Sequence, residues 1–98
     1  MAESDEQAIY KKAVEKWGID SQMAMMVEEC AELILAIQHL YRFKRPETYQ
    51  DRLERVIEEC VDVDLMIEEL KIITQHPHLW DQMKFQKLER LRKLLDQK

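Results

Sequence analysis

The sequence predicts an all-α fold, and three observations support this fold class. The chain of 98 residues contains one glycine and two prolines, so few positions favour a sharp turn. Most other residues are good helix formers such as Glu, Lys, Leu, Met and Gln, and asparagine is absent. Apolar residues also recur at helical spacing in four segments. We therefore expect one domain, residues 1–98, built as an antiparallel bundle of four main helices.

The first two helices are predicted on either side of the glycine. A short polar helix over about residues 4–16 ends at Gly18. Asp20 or Ser21 then caps a second helix that continues to about residue 43. This helix is apolar on nearly all sides. Its main stripe, which we expect to face the core, contains Met23, Val27, Cys30, Ile34, Ile37 and Tyr41.

The last two helices follow a basic connection that contains a proline. Pro46 or Thr48 opens a third helix that continues to about Gln75, where a His-Pro-His turn at residues 76–78 stops it. A fourth helix is predicted over about residues 80–96. The second and third helices, at about 35–40 Å, are longer than the diameter of about 34 Å expected for this chain length. The monomer should be elongated and incompletely buried, so we expect oligomerisation through the long central helices, as a homodimer or a dimer of dimers.

Charge and hydropathy argue against two kinds of partner. The formal net charge is -5, and acids alternate with bases, so the sequence lacks the basic stripe of a nucleic-acid-binding protein. No stretch approaches the ~18 apolar residues of a membrane span, and the N-terminus is acidic where a signal peptide would be basic. We therefore expect no nucleic-acid or membrane partner and a cytoplasmic location. Cys30 and Cys60 are interpreted as reduced, buried thiols.

The second and third predicted helices repeat each other at an offset of thirty residues. When VEECAELILAIQHL at 27–40 is set against IEECVDVDLMIEEL at 57–70, six of the fourteen positions are identical. Each copy carries two acids at i, i+3 spacing, Glu29 with Glu32 and Glu59 with Asp62. Because this spacing places both side chains on one helix face, two facing copies would bring four carboxylates together.

Apolar residues surround both acid pairs, and four charged carboxylates in such a setting need a compensating cation or hydrogen-bond donors. Oxygen ligands favour Mg²⁺, Mn²⁺ or Ca²⁺ over softer metals. The alternative is that these are ordinary acids on a solvated helix face. The repetition of the acid pair leaves both interpretations open.

The two acid segments resemble the EExxE and ExxD motifs of the MazG-like all-α nucleoside triphosphate pyrophosphohydrolases. Glu28-Glu29-Cys30-Ala31-Glu32 matches the first motif, and Glu59-Cys60-Val61-Asp62 matches the second. The resemblance extends over about residues 16–95. It implies an oligomeric helical bundle in which Glu29, Glu32, Glu59 and Asp62 bind Mg²⁺, with Mn²⁺ as a substitute. It further implies cleavage of a nucleoside triphosphate to the monophosphate and pyrophosphate.

Other residues are candidates for roles around this site. Glu28 points away from the other acids on a helical wheel, so we expect it to act from outside the metal-binding set, for example on the attacking water. The substrate phosphates need cations, for which Lys44, Lys87 and Arg90 are candidates, although each also has the character of a surface charge. Trp17 is a candidate for stacking on the base.

Asp64 lies on the predicted core stripe of the third helix, where a buried acid would need a partner such as a metal, a lysine or a tyrosine. For the whole protein, one rival interpretation is a non-catalytic helical assembly module whose acids form a solvated face. A second rival keeps the enzyme but changes the substrate to another pyrophosphate-linked compound.

Overall fold

The described part of the chain folds into four α-helices. The computed structural model describes residues 4–42 and 46–97. For residues 46 and 47 it describes the backbone but not the side chains. The helices are α1 (Asp5–Trp17), α2 (Ile19–Arg42), α3 (Pro46–Thr74) and α4 (Pro77–Leu95), and no strand occurs in the described ranges. Over these ranges, the predicted all-α class and the number of helices are confirmed.

Gly18 separates α1 from α2, as predicted, because its backbone adopts a conformation that other residues avoid. Its φ is 86° and its ψ is 159°, a region occupied almost only by glycine. The Gly18 N–H donates to the Val14 carbonyl at 2.8 Å, and the Gly18 carbonyl accepts from the Gln22 N–H at 3.1 Å. Helix α2 begins directly at Ile19, so Asp20 and Ser21 lie inside the helix and do not cap it.

The junction between α3 and α4 lies slightly earlier than predicted. Helix α3 ends at Thr74, and Gln75 adopts a left-handed φ of 56°. Helix α4 begins at Pro77, three residues before the predicted start, because proline suits the first helical position. The Trp80 indole N–H donates to the Thr74 hydroxyl at 2.8 Å and holds the start of α4 against the end of α3.

The main packing is between α2 and α3, and α1 packs against both. The buried apolar residues of this interface are Ala36 and Met66, and the buried polar residues are Gln22, Glu59 and Glu69. The interface is therefore unusually polar, with acids at its centre.

The apolar stripe of α2 is not buried within the chain, so the prediction that it faces the core is wrong for the monomer. Val27 and Tyr41 are each 69% exposed and Ile34 is 59% exposed. The reason is that α3 packs against the neighbouring side of α2, the side that carries Gln22 and Ala36. The large apolar side chains consequently face away from α3.

The monomer is open and flat rather than compact, with extents of 47 × 41 × 25 Å. Its radius of gyration is 17.1 Å, whereas a compact domain of this length has about 13 Å. Its accessible surface is 8426 Å², whereas about 6,000 Å² is usual for this mass. The four helices leave much more surface exposed than a compact fold would.

Two further predictions concern the surface. Among the described residues, no helix is both long and apolar enough to cross a membrane. Cys30 and Cys60 are free thiols, as predicted, but Cys60 is exposed and Cys30 only half-buried. The prediction that both are buried is wrong because the α2–α3 interface passes beside these positions.

Candidate functional site

Four acids from α2 and α3 meet at the centre of the helix pair. Oxygen atoms of Glu29, Glu59 and Asp62 lie within 4.8 Å of one another. Glu32 lies beside Glu59, within hydrogen-bonding reach of its carboxyl group. We call these four residues the acid cluster. The structure thus brings together all four residues that the sequence predicts as ligands.

The repeat explains how the acid cluster forms. The i, i+3 spacing places Glu29 and Glu32 on one face of α2, and the same spacing places Glu59 and Asp62 on the facing side of α3. Glu29 contacts Asp62, and Glu32 contacts Glu59. Each contact therefore joins the first acid of one pair to the second acid of the other.

Two oxygen atoms of the acid cluster are buried without a partner among the described residues. Glu59 is only 4% exposed. Within the described part of the chain, neither Glu59 Oε2 nor Glu29 Oε2 has a hydrogen-bond partner. A buried carboxylate oxygen without a donor or cation costs free energy. The donor set, which is oxygen only and anionic, suits a hard divalent cation such as Mg²⁺ or Mn²⁺.

Two of these acids are harder to ionise than an ordinary glutamate. Burial raises the pKa of Glu29, and the charges of Asp62, Glu32 and Glu59 raise it further. The charge of Glu59 raises the pKa of Glu32, and burial adds to this, while Arg55 partly offsets the effect. Repulsion among the acids is thus a consequence of the fold, and any bound cation would relieve it.

Arg55 is the cation nearest to the acid cluster among the ion pairs that the structure describes. Its Nε donates to Glu59 Oε1 at 2.8 Å, one helical turn away. The Glu59 side chain is 6% exposed, whereas the Arg55 side chain is 58% exposed. Arg55 is not among the residues predicted from the sequence, although its i, i+4 spacing from Glu59 is a usable signal.

A second polar contact crosses the α2–α3 interface near α1. With its amide nitrogen facing the carboxylate, Gln22 donates to both oxygens of Glu69, at 3.0 and 2.7 Å. Both residues are buried, and burial raises the pKa of Glu69. No pattern in the sequence predicts this contact, because the repeat equivalent of Glu69 is His39.

Asp64 is exposed, so the predicted buried acid is not found. It lies on the side of α3 that faces α1, close to Tyr10. Burial raises the pKa of Tyr10, and the charges of Glu6, Glu68 and Asp64 add to the shift. Of the predicted partners for Asp64, the structure places a tyrosine nearby.

A cleft of about 410 Å³ opens beside the acid cluster, between the end of α2 and the start of α3. Its basic lining residues are His39, Arg52 and Arg55, and its acidic ones are Asp51, Glu54 and Glu58. Arg52 bridges the two helices by donating to the His39 carbonyl at 3.5 Å and to the Thr48 hydroxyl at 3.3 Å. The volume lies within the usual range of small-ligand pockets, about 300–1,000 Å³.

The repeat is broken at this cleft. Ala36 lines it, and the repeat equivalent of Ala36 is the much larger Met66, which is buried. Arg55 also lines it, and its equivalent in α2 is Met25. One end of the acid cluster therefore combines a small residue with an arginine, where the other end has two methionines.

The remaining predicted residues are placed as follows. Glu28 is exposed, and its charge adds to the raised pKa of Glu32, so it lies near the acid cluster but outside it. Lys44 lies outside the described residues. Trp17 is 56% exposed at the end of α1, with Lys16 Nζ 5.4 Å from its ring. No described contact joins Trp17 to the acids.

Lys87 and Arg90 lie on α4, and the structure does not bring them to the acid cluster within one chain. Lys87 lines a groove between α3 and α4 whose α3 wall consists of Ile67, Lys71 and Thr74. None of the four acids lines that groove, and no described contact joins Arg90 to them. Their predicted role as phosphate ligands stays untested.

No family model matches this chain. No curated protein matches it, and no solved structure does so.

Proposed function

We propose that this protein is a Mg²⁺-dependent nucleotide pyrophosphohydrolase that resembles the MazG-like enzymes and converts a nucleoside triphosphate to the monophosphate and pyrophosphate. The observation that carries the proposal is the acid cluster, in which two buried oxygens have no partner in the ranges that the structure describes. A solvated acidic face would leave these atoms in contact with water. Their burial is the reason to prefer the enzyme to the assembly module.

Glu29, Glu32, Glu59 and Asp62 would hold the metal. When bound, Mg²⁺ supplies positive charge beside the phosphate oxygens and favours deprotonation of an attacking water. Mn²⁺ would substitute, because it accepts the same oxygen ligands.

The cleft beside the acid cluster would take the phosphate chain. It is adjacent to the acids through Arg55, and it contains two arginines that suit phosphate oxygens. Ala36 leaves the space that a methionine would fill. Lys44, Lys87 and Arg90 remain proposed phosphate ligands, the last two from a partner chain, and Trp17 remains a proposed stacking residue for the base.

In the proposed reaction, water attacks the α-phosphorus of the triphosphate and the α–β anhydride bond breaks. The water oxygen forms the new bond to phosphorus, and pyrophosphate leaves with the electron pair of the broken bond. Glu28, exposed beside the cluster, would accept the proton of the water. The other acids position the reacting groups, which is the main task in phosphoryl transfer.

The proposed architecture is an antiparallel pairing of α2 with α3. The contacts support it, because they pair Gln22 with Glu69 at one end and His39 with Arg52 at the other. Between them, Glu29 pairs with Asp62 and Glu32 with Glu59. Each step forward along α2 is matched by an equal step backward along α3.

We also propose that the protein is a homodimer or a dimer of dimers in the cytoplasm. The accessible surface exceeds that of a compact chain by about 2,400 Å², which is comparable to what one partner contributes to a large obligate interface. The exposed apolar stripe of α2 is the natural contact surface, because apolar area of this extent is rarely left in water.

The experiment is a screen of canonical and modified ribo- and deoxyribonucleoside triphosphates for Mg²⁺-dependent pyrophosphate release. At least one substrate should be cleaved, and Glu59→Gln should lower the rate at least about a hundredfold, because it removes a charged metal ligand. Glu15→Gln, at an exposed position of α1, is the matched control and should keep the wild-type rate.

Inactivity toward the whole panel would contradict the triphosphate proposal. A parallel panel of nucleoside diphosphates and other pyrophosphate-linked compounds then tests the second rival. If Mg²⁺ also left the melting temperature of the wild type unchanged, the assembly module would be favoured, because a ligand of the folded state must raise it.

A further inference from the structure

The two partners of the Arg55–Glu59 ion pair differ greatly in their exposure to solvent. The Glu59 side chain is 6% exposed, whereas Arg55 reaches it from a 58% exposed position. A buried carboxylate needs a counter-charge, but an exposed arginine does not need this carboxylate. The arginine can therefore leave with little loss if another cation takes its place.

Arg55 lies between the acid cluster and the cleft. It contacts one oxygen of Glu59, while the other oxygen is buried without a partner in the described part of the chain. Arg55 thus neutralises the acid cluster only in part. Its side chain also lines the 410 Å³ cleft, so Arg55 borders both the acid cluster and the cleft.

We propose that Arg55 is an internal counter-ion of the acid cluster, which a divalent cation displaces into the cleft, where the guanidinium contacts the phosphate chain of the substrate. The inference rests on the proposed function and assigns a substrate-binding residue to it. Displacement of Arg55 couples cation binding to phosphate binding, because the cation that completes the acid cluster also frees the arginine for the phosphate.

The broken repeat supports this assignment. The position equivalent to Arg55 in α2 is Met25, which carries no charge, and the position equivalent to the small Ala36 is Met66. The arginine and the open space therefore occur together, at the same end of the acid cluster. A salt bridge that served only to stabilise the helix would not need the adjacent cleft.

The first test measures Mn²⁺ binding by titration calorimetry, without substrate. Arg55→Gln should bind Mn²⁺ at least about fivefold more tightly than the wild type, because the competing positive charge is gone. Arg55→Lys, which keeps the charge, should stay close to the wild type. Arg92→Gln, which removes an exposed arginine paired with Glu89, is the matched control and should not differ from the wild type.

The second test follows the ¹⁵N-labelled Arg55 Nε–H signal by NMR while Mg²⁺ is added. We expect the signal to move toward that of a solvated arginine as the acid cluster is filled. Pyrophosphate should then bind to the Mg²⁺-loaded Arg55→Gln variant at least about fivefold more weakly than to the loaded wild type.

Three results would overturn the inference alone: equal Mn²⁺ affinity of wild type and Arg55→Gln, an Nε–H signal that does not move at saturating Mg²⁺, or unchanged pyrophosphate binding. A failure of the proposed function looks different. In that case neither the wild type nor Arg55→Gln binds Mn²⁺.

Discussion

At the scale of single residues, the carboxylates of the acid cluster repel one another and so destabilise the metal-free fold. A protein optimised only for stability would not keep them together. Burial and then the neighbouring carboxylates raise the pKa of Glu29, whereas the charge of Glu59 is the main cause of the raised pKa of Glu32. Such clustering of perturbed groups is common at functional sites. The neutral variants of these acids should therefore make the metal-free protein more stable.

Glu32→Gln should stabilise the metal-free protein at pH 7, and the gain should disappear as the pH falls toward 4.5. Because the folded pKa of Glu32 lies above the ordinary value of 4.5, the folded state binds the proton more tightly than the unfolded state. Stability from this group is therefore fully present below about pH 4.5 and is lost as the pH rises through the folded pKa.

Urea unfolding in EDTA between pH 4 and 8 measures this difference, with Glu15→Gln as the control. A gap between Glu32→Gln and the wild type that stays constant over this range would contradict the prediction. With saturating Mg²⁺ at pH 7, the proposed metal site reverses the order, since the wild type then gains more from the cation.

At the scale of the helices, the repeat of α2 and α3 accounts for the acid cluster, and the departures from the repeat account for the cleft. Acid pairs at equivalent positions of two packed helices bring four carboxylates together. Different residues at the equivalent positions Ala36 and Met66 make the two ends unlike. The small volume of the side chain at position 36 thus distinguishes the end of the acid cluster that has the cleft from the end that lacks it.

Ala36→Met, which copies the repeat equivalent, should fill part of the cleft. We expect Mn²⁺ to bind as in the wild type, while a non-hydrolysable triphosphate binds at least about tenfold more weakly, because its phosphate chain has lost space. Calorimetry with each ligand separates these effects. Ala24→Met, at an exposed position of α2, is the control.

Wild-type triphosphate affinity in a folded Ala36→Met variant would show that the substrate binds elsewhere. A loss of Mn²⁺ binding together with triphosphate binding would mean that the added side chain disturbs the acid cluster. In that case Ala36→Leu, which is smaller in reach, repeats the comparison.

At the scale of the whole molecule, the exposed apolar surface is the main feature that destabilises the monomer in water. The stripe on α2 faces away from α3, and much of α4 is exposed as well, including Leu88, Leu91 and Leu94. The few buried apolar residues form a very small core for four helices. Association of two or more chains would bury this surface.

Ile34→Glu should shift the proposed oligomer toward the monomer, because it places a charge in the middle of the apolar stripe. Sedimentation velocity measures the shift over a range of concentrations. Ile9→Glu introduces the same charge at a similarly exposed site on α1 and should leave the oligomer intact. A wild-type chain that sediments as a monomer at high concentration would contradict the oligomer itself.

Much of the local structure could be predicted from the sequence. The helices follow from composition and apolar spacing, the first break follows from Gly18, and the meeting of Glu29, Glu32, Glu59 and Asp62 follows from the repeat. These features depend on short-range geometry, namely helix-forming propensity, the conformational freedom of glycine and the i, i+3 spacing of side chains.

Which face of α2 is buried was decided only by the tertiary structure. A wheel places the apolar stripe toward the core, but α3 packs on the neighbouring side, with Gln22, Ala36 and the acids. A helix that is apolar on nearly all sides has no single preferred face, so hydropathy alone cannot choose between them. The contact of Gln22 with Glu69, the pairing of Arg55 with buried Glu59 and the cleft beside them depend on that choice. The sequence by itself determined the helices and the acids, and the packing of α2 on α3 determined their surroundings.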